Sequence, residues 1–247
     1  NIDLLVEAYE LLGNDEYMKA AKRGMDFIII SQGPEDQAAW GDQHGVDLKP
    51  AWGRTHEHAG YMPRYTMANI RSLRNYYFVT GDRRYLKPIP DAIKWLENST
   101  IEILGNGVHK LALKYEVGTN LPIFMHRTEQ TNEEGYGLYL YNHEPPETEE
   151  HTRGFTNINL NNIKQDYERV RALTPEQAQG EYNAKKAVIS KNRKVNPSEV
   201  REIINSLDER GAWVGEVSVY GMDITRKYPP GTKFDNSAGT GHASTII

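Results

Sequence analysis

The chain contains no cysteine, which excludes a disulfide framework and every thiolate-based metal or redox centre. It also lacks a basic excess. With 29 Lys and Arg against 34 Asp and Glu, and a formal net charge of −5, it does not carry the charge that drives phosphate-backbone binding, so nucleic acid is not an expected partner. Long apolar runs are missing as well: Phe27–Ile30 is the kind of short run present, far below the roughly 18 to 20 residues that span a bilayer, and no membrane partner is expected. Neither an initiator Met nor a charged-then-apolar leader opens the chain. It begins inside a helical pattern, so a fragment with a missing upstream part is expected.

What is present starts with helical periodicity. Leu4, Leu5, Ala8, Leu11 and Leu12 follow one helix face, and Gly13-Asn14 stops it. Asp15 is expected to cap a second helix whose apolar side runs through Tyr17, Met18, Ala21, Met25, Ile28 and Ile29 until Ser31-Gln32-Gly33-Pro34 breaks it. The same design returns in Met67–Thr80 and Arg83–Glu97. Leu5, Tyr9, Gly13, Tyr17 and Phe27 correspond to Leu73, Tyr77, Gly81, Tyr85 and Trp95, each pair offset by 68 positions, an internal repeat of a helix hairpin. Hairpins of this kind cannot bury their apolar faces alone, so the expected fold class is all-α, an α/α toroid or an arc of one, with long functional loops and an irregular tail. The expected organisation is hairpin repeats over residues 1–125 carrying a long connection at 32–65, helices and loops of the same domain over 126–227, and an irregular tail over 228–247. Leu111–Phe124 reads as a short extended pair or ordered loop. Further helices are expected over Asn161–Leu173, after Thr174-Pro175, and after Asn196-Pro197.

The connection at 32–65 carries the chemistry. Connections longer than about 12 to 15 residues in a compact domain are usually functional or disordered, and Trp40 and Trp52 argue against disorder. Each tryptophan sits beside glycine, where a flat aromatic face suits stacking on a sugar ring. Arg54 offers a planar fork of donors for a carboxylate, and Glu57, His58 and Tyr61 follow it closely. The histidines His44, His56 and His58 lack the helical spacing of a zinc site, and no metal ligands are expected within the chain.

Two blocks, QAAWGDQHGVDLKPAWGRTHE at Gln37–Glu57 and KYEVGTNLPIFMHR at Lys114–Arg127, resemble the C-terminal half of the pectic acid lyases, polysaccharide lyases built on an α/α toroid. The resemblance covers Asp15 to about Arg127. It implies that Arg54 matches an arginine associated with proton abstraction, Glu57 its acidic neighbour, and Arg127 a substrate-binding arginine, while a further family arginine falls on Leu113 with Lys114 beside it. It implies cleavage of a uronic-acid polymer (pectate, alginate or glucuronan) by β-elimination, an acidic polysaccharide or oligosaccharide as partner, calcium as cofactor with ligands mostly outside this chain, and a secreted or periplasmic location. The expected substrate-binding set is Trp40, Gln43, His44, Trp52, Glu57, Tyr115, Asn120 and Arg127; the expected catalytic set is Arg54, His58 and Tyr61.

β-Elimination needs a cation at the carboxylate, a base at C5 and a proton source for O4. Arginine is an awkward base because its pKa above about 12 keeps it protonated. A variant in which Arg54 binds the carboxylate while His58 or Tyr61 moves protons therefore stands beside the family's own version. Two other classes remain open: a toroidal glycoside hydrolase drawing on Asp42, Asp47 or Glu57, and a non-catalytic carbohydrate-binding or helical-repeat module.

Overall fold

The computed structural model describes residues 2–53, 57–131, 137–145, 154–192 and 196–206. The first hairpin forms as its sequence dictates. Helices α1 (Ile2–Leu12) and α2 (Asp15–Ile30) are separated by Gly13, which adopts φ +68° and donates its N–H to Tyr9 O at 2.8 Å. Glycine reaches this left-handed conformation without a Cβ penalty. The cap of α2 is Asn14, one residue before the expected Asp15, and its Oδ1 accepts from Glu16 N–H at 3.0 Å.

The offset of 68 reappears at the second turn. Helix α3 (Pro63–Thr80) ends at Gly81, again at φ +68°, with its N–H on Tyr77 O at 2.8 Å, and Asp82 then accepts from Arg84 N–H as Asn14 does from Glu16. Beyond the turn the copies diverge. Pro88 and Pro90 cannot continue a helix begun at Arg83, so Arg83–Leu86 closes a single 3-10 turn and α4 spans only Ile89–Asn98. The paired environments differ accordingly: Trp95 is 1% exposed whereas its counterpart Phe27 is 43% exposed.

The expected all-α toroid is overturned downstream of α4. The chain there builds strands β1 (Glu102–Gly105), β2 (Val108–Ala112), β3 (Lys114–Tyr115), β4 (Pro122–Thr131), β5 (Gly137–Asn142) and β6 (Phe155–Asn159). They form two antiparallel sheets, in the orders β1-β2-β6 and β3-β4-β5, so the fold is mixed helix and sheet. Asn106 and Gly107 both have positive φ, 51° and 74°, and join β1 to β2 with the mirror-image turn whose twist matches a hairpin. Aromatic side chains favour the pleated surface over the helix, and Gly-Leu-Tyr-Leu-Tyr-Asn in β5 supplies two tyrosines at alternate positions. Leu111–Phe124, read as extended, includes part of β2, all of β3 and the start of β4.

β2 runs into β3 across Leu113, whose N–H bonds Gly154 O at 2.9 Å, so one stretch of chain serves both sheets. The core is continuous from the helices into the strands, through Leu73, Tyr77, Tyr85, Ile89, Trp95 and Leu96 to Leu111, Tyr115, Phe124 and Ile158. Helix α5 (Leu160–Ala172) follows β6 and buries Leu160 and Val170. Helix α6 (Pro175–Asn192) opens with reciprocal bonds between Thr174 and Gln177: Gln177 N–H donates to Thr174 Oγ1 at 3.2 Å and Thr174 N–H to Gln177 Oε1 at 2.9 Å, a capping box. The chain divides into two compact units, Asn1–Ala187 and Val188–Ile247. Within the second, α7 (Pro197–Asn205) is capped by Asn196, whose Oδ1 accepts from Ser198 N–H at 3.0 Å.

Candidate functional site

The two blocks singled out in the sequence meet in space. Gln37, fully enclosed, donates Nε2–H to Glu116 O at 2.8 Å and to Asn120 Oδ1 at 3.2 Å, while its Oε1 accepts from Gly118 N–H. Tyr61 and Tyr115 form an isolated antiparallel bridge, N–H to O at 2.9 and 2.8 Å in the two directions. The connection from α2 to α3 is thereby laid along β3 and the turn before β4.

Several residues expected at a ligand are used instead to make this junction. Trp40 is 1% exposed and donates its indole N–H to Ile28 O at 2.7 Å; it is a core residue with no face left for a sugar. Tyr61 is 2% exposed, its ring edge-on to Trp95 at 6.4 Å, so the expected catalytic hydroxyl lies in the packing. Tyr115 is equally enclosed. Its hydroxyl donates to Ser99 O and accepts from Ala112 N–H at 2.9 Å, and burial pushes its pKa up to about 12. Asn120, at φ +57°, accepts from the Trp95 indole N–H at 2.8 Å and donates to Ser99 Oγ at 3.0 Å. An internal amide with these bonds satisfied is an architectural group.

His44 is half-buried, bridged to Pro50 and edge-on to Phe27 at 6.1 Å. Among the described residues its buried Nε2 has no hydrogen-bond partner. Burial lowers its pKa below the usual histidine value, opposed by the charge of Asp42. Gln43 donates Nε2–H to Glu57 Oε2 at 2.8 Å, and Gly53 N–H bonds Glu57 O at 3.0 Å, so the ends of the 53–57 loop are tied. Arg54 and His56 lie between them, outside the described residues. Arg127 stands in β4 opposite Tyr139 in the β4–β5 register; its side chain is outside the described set.

The remaining expected residues come together with one that sequence reasoning missed. Trp52, 55% exposed, lies 4.4 Å from the ring of His58 and 5.5 Å from that of Tyr141, and the His58 and Tyr141 rings are 4.9 Å apart. The Nδ1 of His58 faces the Ala59 carbonyl, an acceptor that takes only a proton-bearing nitrogen. With Nδ1 turned to that carbonyl, Nε2 is the ring nitrogen left to meet a substrate. Burial first, then the charges of neighbouring groups including Glu57 and Asp42, pushes the Tyr141 phenol up to about 12, opposed by a hydrogen bond from the His58 backbone. A proton acceptor and a phenol that stays protonated through neutral pH thus flank one exposed indole. Tyr141 could have been found from the alternating Gly-Leu-Tyr-Leu-Tyr-Asn, which brings a tyrosine to one face of a strand at every second position.

Beneath this group Lys114 Nζ meets Asp42 Oδ2 at 3.2 Å, with side chains only 11% and 14% exposed respectively. Among the described residues no three His, Asp or Glu side chains converge as a metal site would require. Compared with protein-family models, curated proteins and solved structures, the chain matches none.

Proposed function

We propose that the chain binds an acidic polysaccharide and cleaves it by β-elimination. The observation that carries this reading is the open group of Trp52, His58 and Tyr141, with ring centres 4.4 to 5.5 Å apart. The indole provides a flat apolar face of the kind that sugar rings stack on. His58 Nε2 takes the C5 proton of the uronate, the C5–H electron pair forms the C4=C5 double bond, and the C4–O4 bond breaks. Tyr141 delivers its proton to the departing O4. Proton transfers of this kind contribute typically 10² to 10⁴ in rate.

Tyr141 takes the place expected of Tyr61, whose burial removes it from a substrate. Arg54 enters from the sequence alone, as the planar donor that neutralises the uronate carboxylate in place of the proton-abstracting role that the family match implies. The residues described here offer no donor set for the calcium that the resemblance implies, so no step passes through it. The α/α toroid expected for both the lyase and the hydrolase gives way to a mixed helix-and-sheet fold, so neither reaction is argued from architecture. Of the carboxylates expected for a hydrolase, Asp42 is engaged by Lys114, and Glu57 by Gln43.

The test is incubation with polygalacturonate, alginate and glucuronan, read at the ultraviolet absorbance of unsaturated uronates. A rise on one polymer, lost in His58→Gln, is the expected result. New reducing ends without that absorbance would make the protein a hydrolase, and retained binding without either product would make it a carbohydrate-binding surface.

A further inference from the structure

Lys114 sits at the junction of the two blocks, and three protein oxygens surround its ammonium. Asp42 Oδ1 and Oδ2 lie at 3.3 and 3.2 Å, and the third contact is the backbone carbonyl of His58. With only 11% of its side chain exposed, this ammonium is turned inward and does not present itself to a substrate anion. Its stem passes under Gly60, where a Cβ would lie 2.7 Å from both Lys114 Cγ and Tyr115 O. Only glycine lets the two chains approach so closely. On the far side of Gly60 the Tyr61–Tyr115 bridge fixes the register.

We infer that Lys114, charge-balanced by Asp42, is a positioning residue that holds His58 through its backbone carbonyl and so aims the imidazole at the space beside Trp52 and Tyr141. The inference rests on the reading of His58 as the base. An ammonium donating to a carbonyl restrains the backbone at that point, and a bond shared with a carboxylate is stronger than one between neutral groups. Held at His58 by Lys114 and three residues later by the bridge at Tyr61, the segment 58–61 has little freedom to rotate His58 away from the two aromatic rings. Misplacement of a reacting group by about 1 Å costs on the order of a hundredfold in rate.

The test uses selectively ¹³C-labelled histidine in the full chain, with the His58 ring resonance assigned by its loss in His58→Gln. Packed between an indole and a phenol, that resonance is displaced from the position of an exposed histidine. The double variant Lys114→Met with Asp42→Asn removes both charges together, leaving neither buried alone. In a folded double variant the resonance is expected to return toward the exposed position, and kcat on the responsive uronan to fall by about tenfold or more with KM nearly unchanged. Lys114→Arg, which keeps the charge and the donors, is expected to hold the resonance near its wild-type place. An unmoved resonance in the folded double variant would overturn the inference, as would a raised KM with kcat intact, because the latter would make Lys114 a substrate ligand. If the resonance moves while the wild-type protein turns over no uronan, the positioning role stands and the lyase reading falls.

Discussion

Tyr141 and His44 show how enclosure sets the chemistry of single residues in opposite directions. The phenol of Tyr141, raised to about 12, stays protonated well above neutral pH. Tyr141→Phe keeps the ring against Trp52 and His58 and removes only the proton. It is therefore expected to lower kcat by about a hundredfold or more with little change in KM; near-normal turnover on the responsive polymer would remove Tyr141 from the reaction. For His44 the burial that lowers its pKa acts on stability. Above the unfolded-state value of 6.5 the ring is neutral in both states and contributes no pH dependence. As pH falls below that value the unfolded chain takes up the proton first, so stability falls with pH until the lowered folded pKa is passed. His44→Leu is expected to flatten the decline of Tm between pH 7 and 5. An unchanged slope would show that another group governs the acid limb.

At the scale of elements, the two hairpin turns make a controlled pair. Gly13 and Gly81 share φ +68°, but among the described residues a Cβ at Gly13 would meet nothing within 4 Å whereas one at Gly81 would lie 3.0 Å from Pro175 Cβ at the start of α6. Gly13→Ala is therefore expected to cost about 1 kcal/mol, the left-handed penalty alone, and Gly81→Ala measurably more, by thermal or urea unfolding. Equal costs would mean that α6 yields freely. These turns, and the cap at Thr174, were legible because capping is local: the chemistry of two or three consecutive residues determines it, although the cap of α2 was expected at Asp15 and lies one residue earlier, at Asn14. The strands were not, apart from the extended stretch at Leu111–Phe124. β5 presents an alternating pattern only six residues long, and its partner is set by long-range pairing rather than by its neighbours. The hairpin repeat also carried too far, since a turn that recurs does not oblige the elements around it to recur. In the candidate site, Trp52 and His58 could be singled out from the sequence. Trp40 and Tyr61 looked the same on paper, and only the packing against Ile28 and Trp95 separates a buried aromatic ring from an exposed one.

For the whole molecule, the number of enclosed tyrosines sets the alkaline limit. Tyr76 and Tyr115 are almost wholly buried, and burial raises each from 10.0 to about 12. Below pH 10 both are neutral in the folded and unfolded chain. Between pH 10 and 12 the unfolded chain ionises first, so stability is lost over that interval, by roughly 2 to 3 kcal/mol for each residue. A phenolate titration followed together with far-UV circular dichroism is expected to show these tyrosines ionising only as the structure is lost. Ionisation of every tyrosine near pH 10 with the helices intact would refute it.

The bridge between Tyr61 and Tyr115 also sets an order of assembly. The hairpin of α1 and α2 closes on residues adjacent in sequence, but Lys114 reaches His58 across 56 positions, and loop closure over such separations is slow relative to local turns. In refolding, helical signal is therefore expected to return well before the Trp52–His58–Tyr141 group forms, and a single shared rate for both would contradict this. A newly made chain would pass through a period in which most of its helix exists and none of its chemistry does.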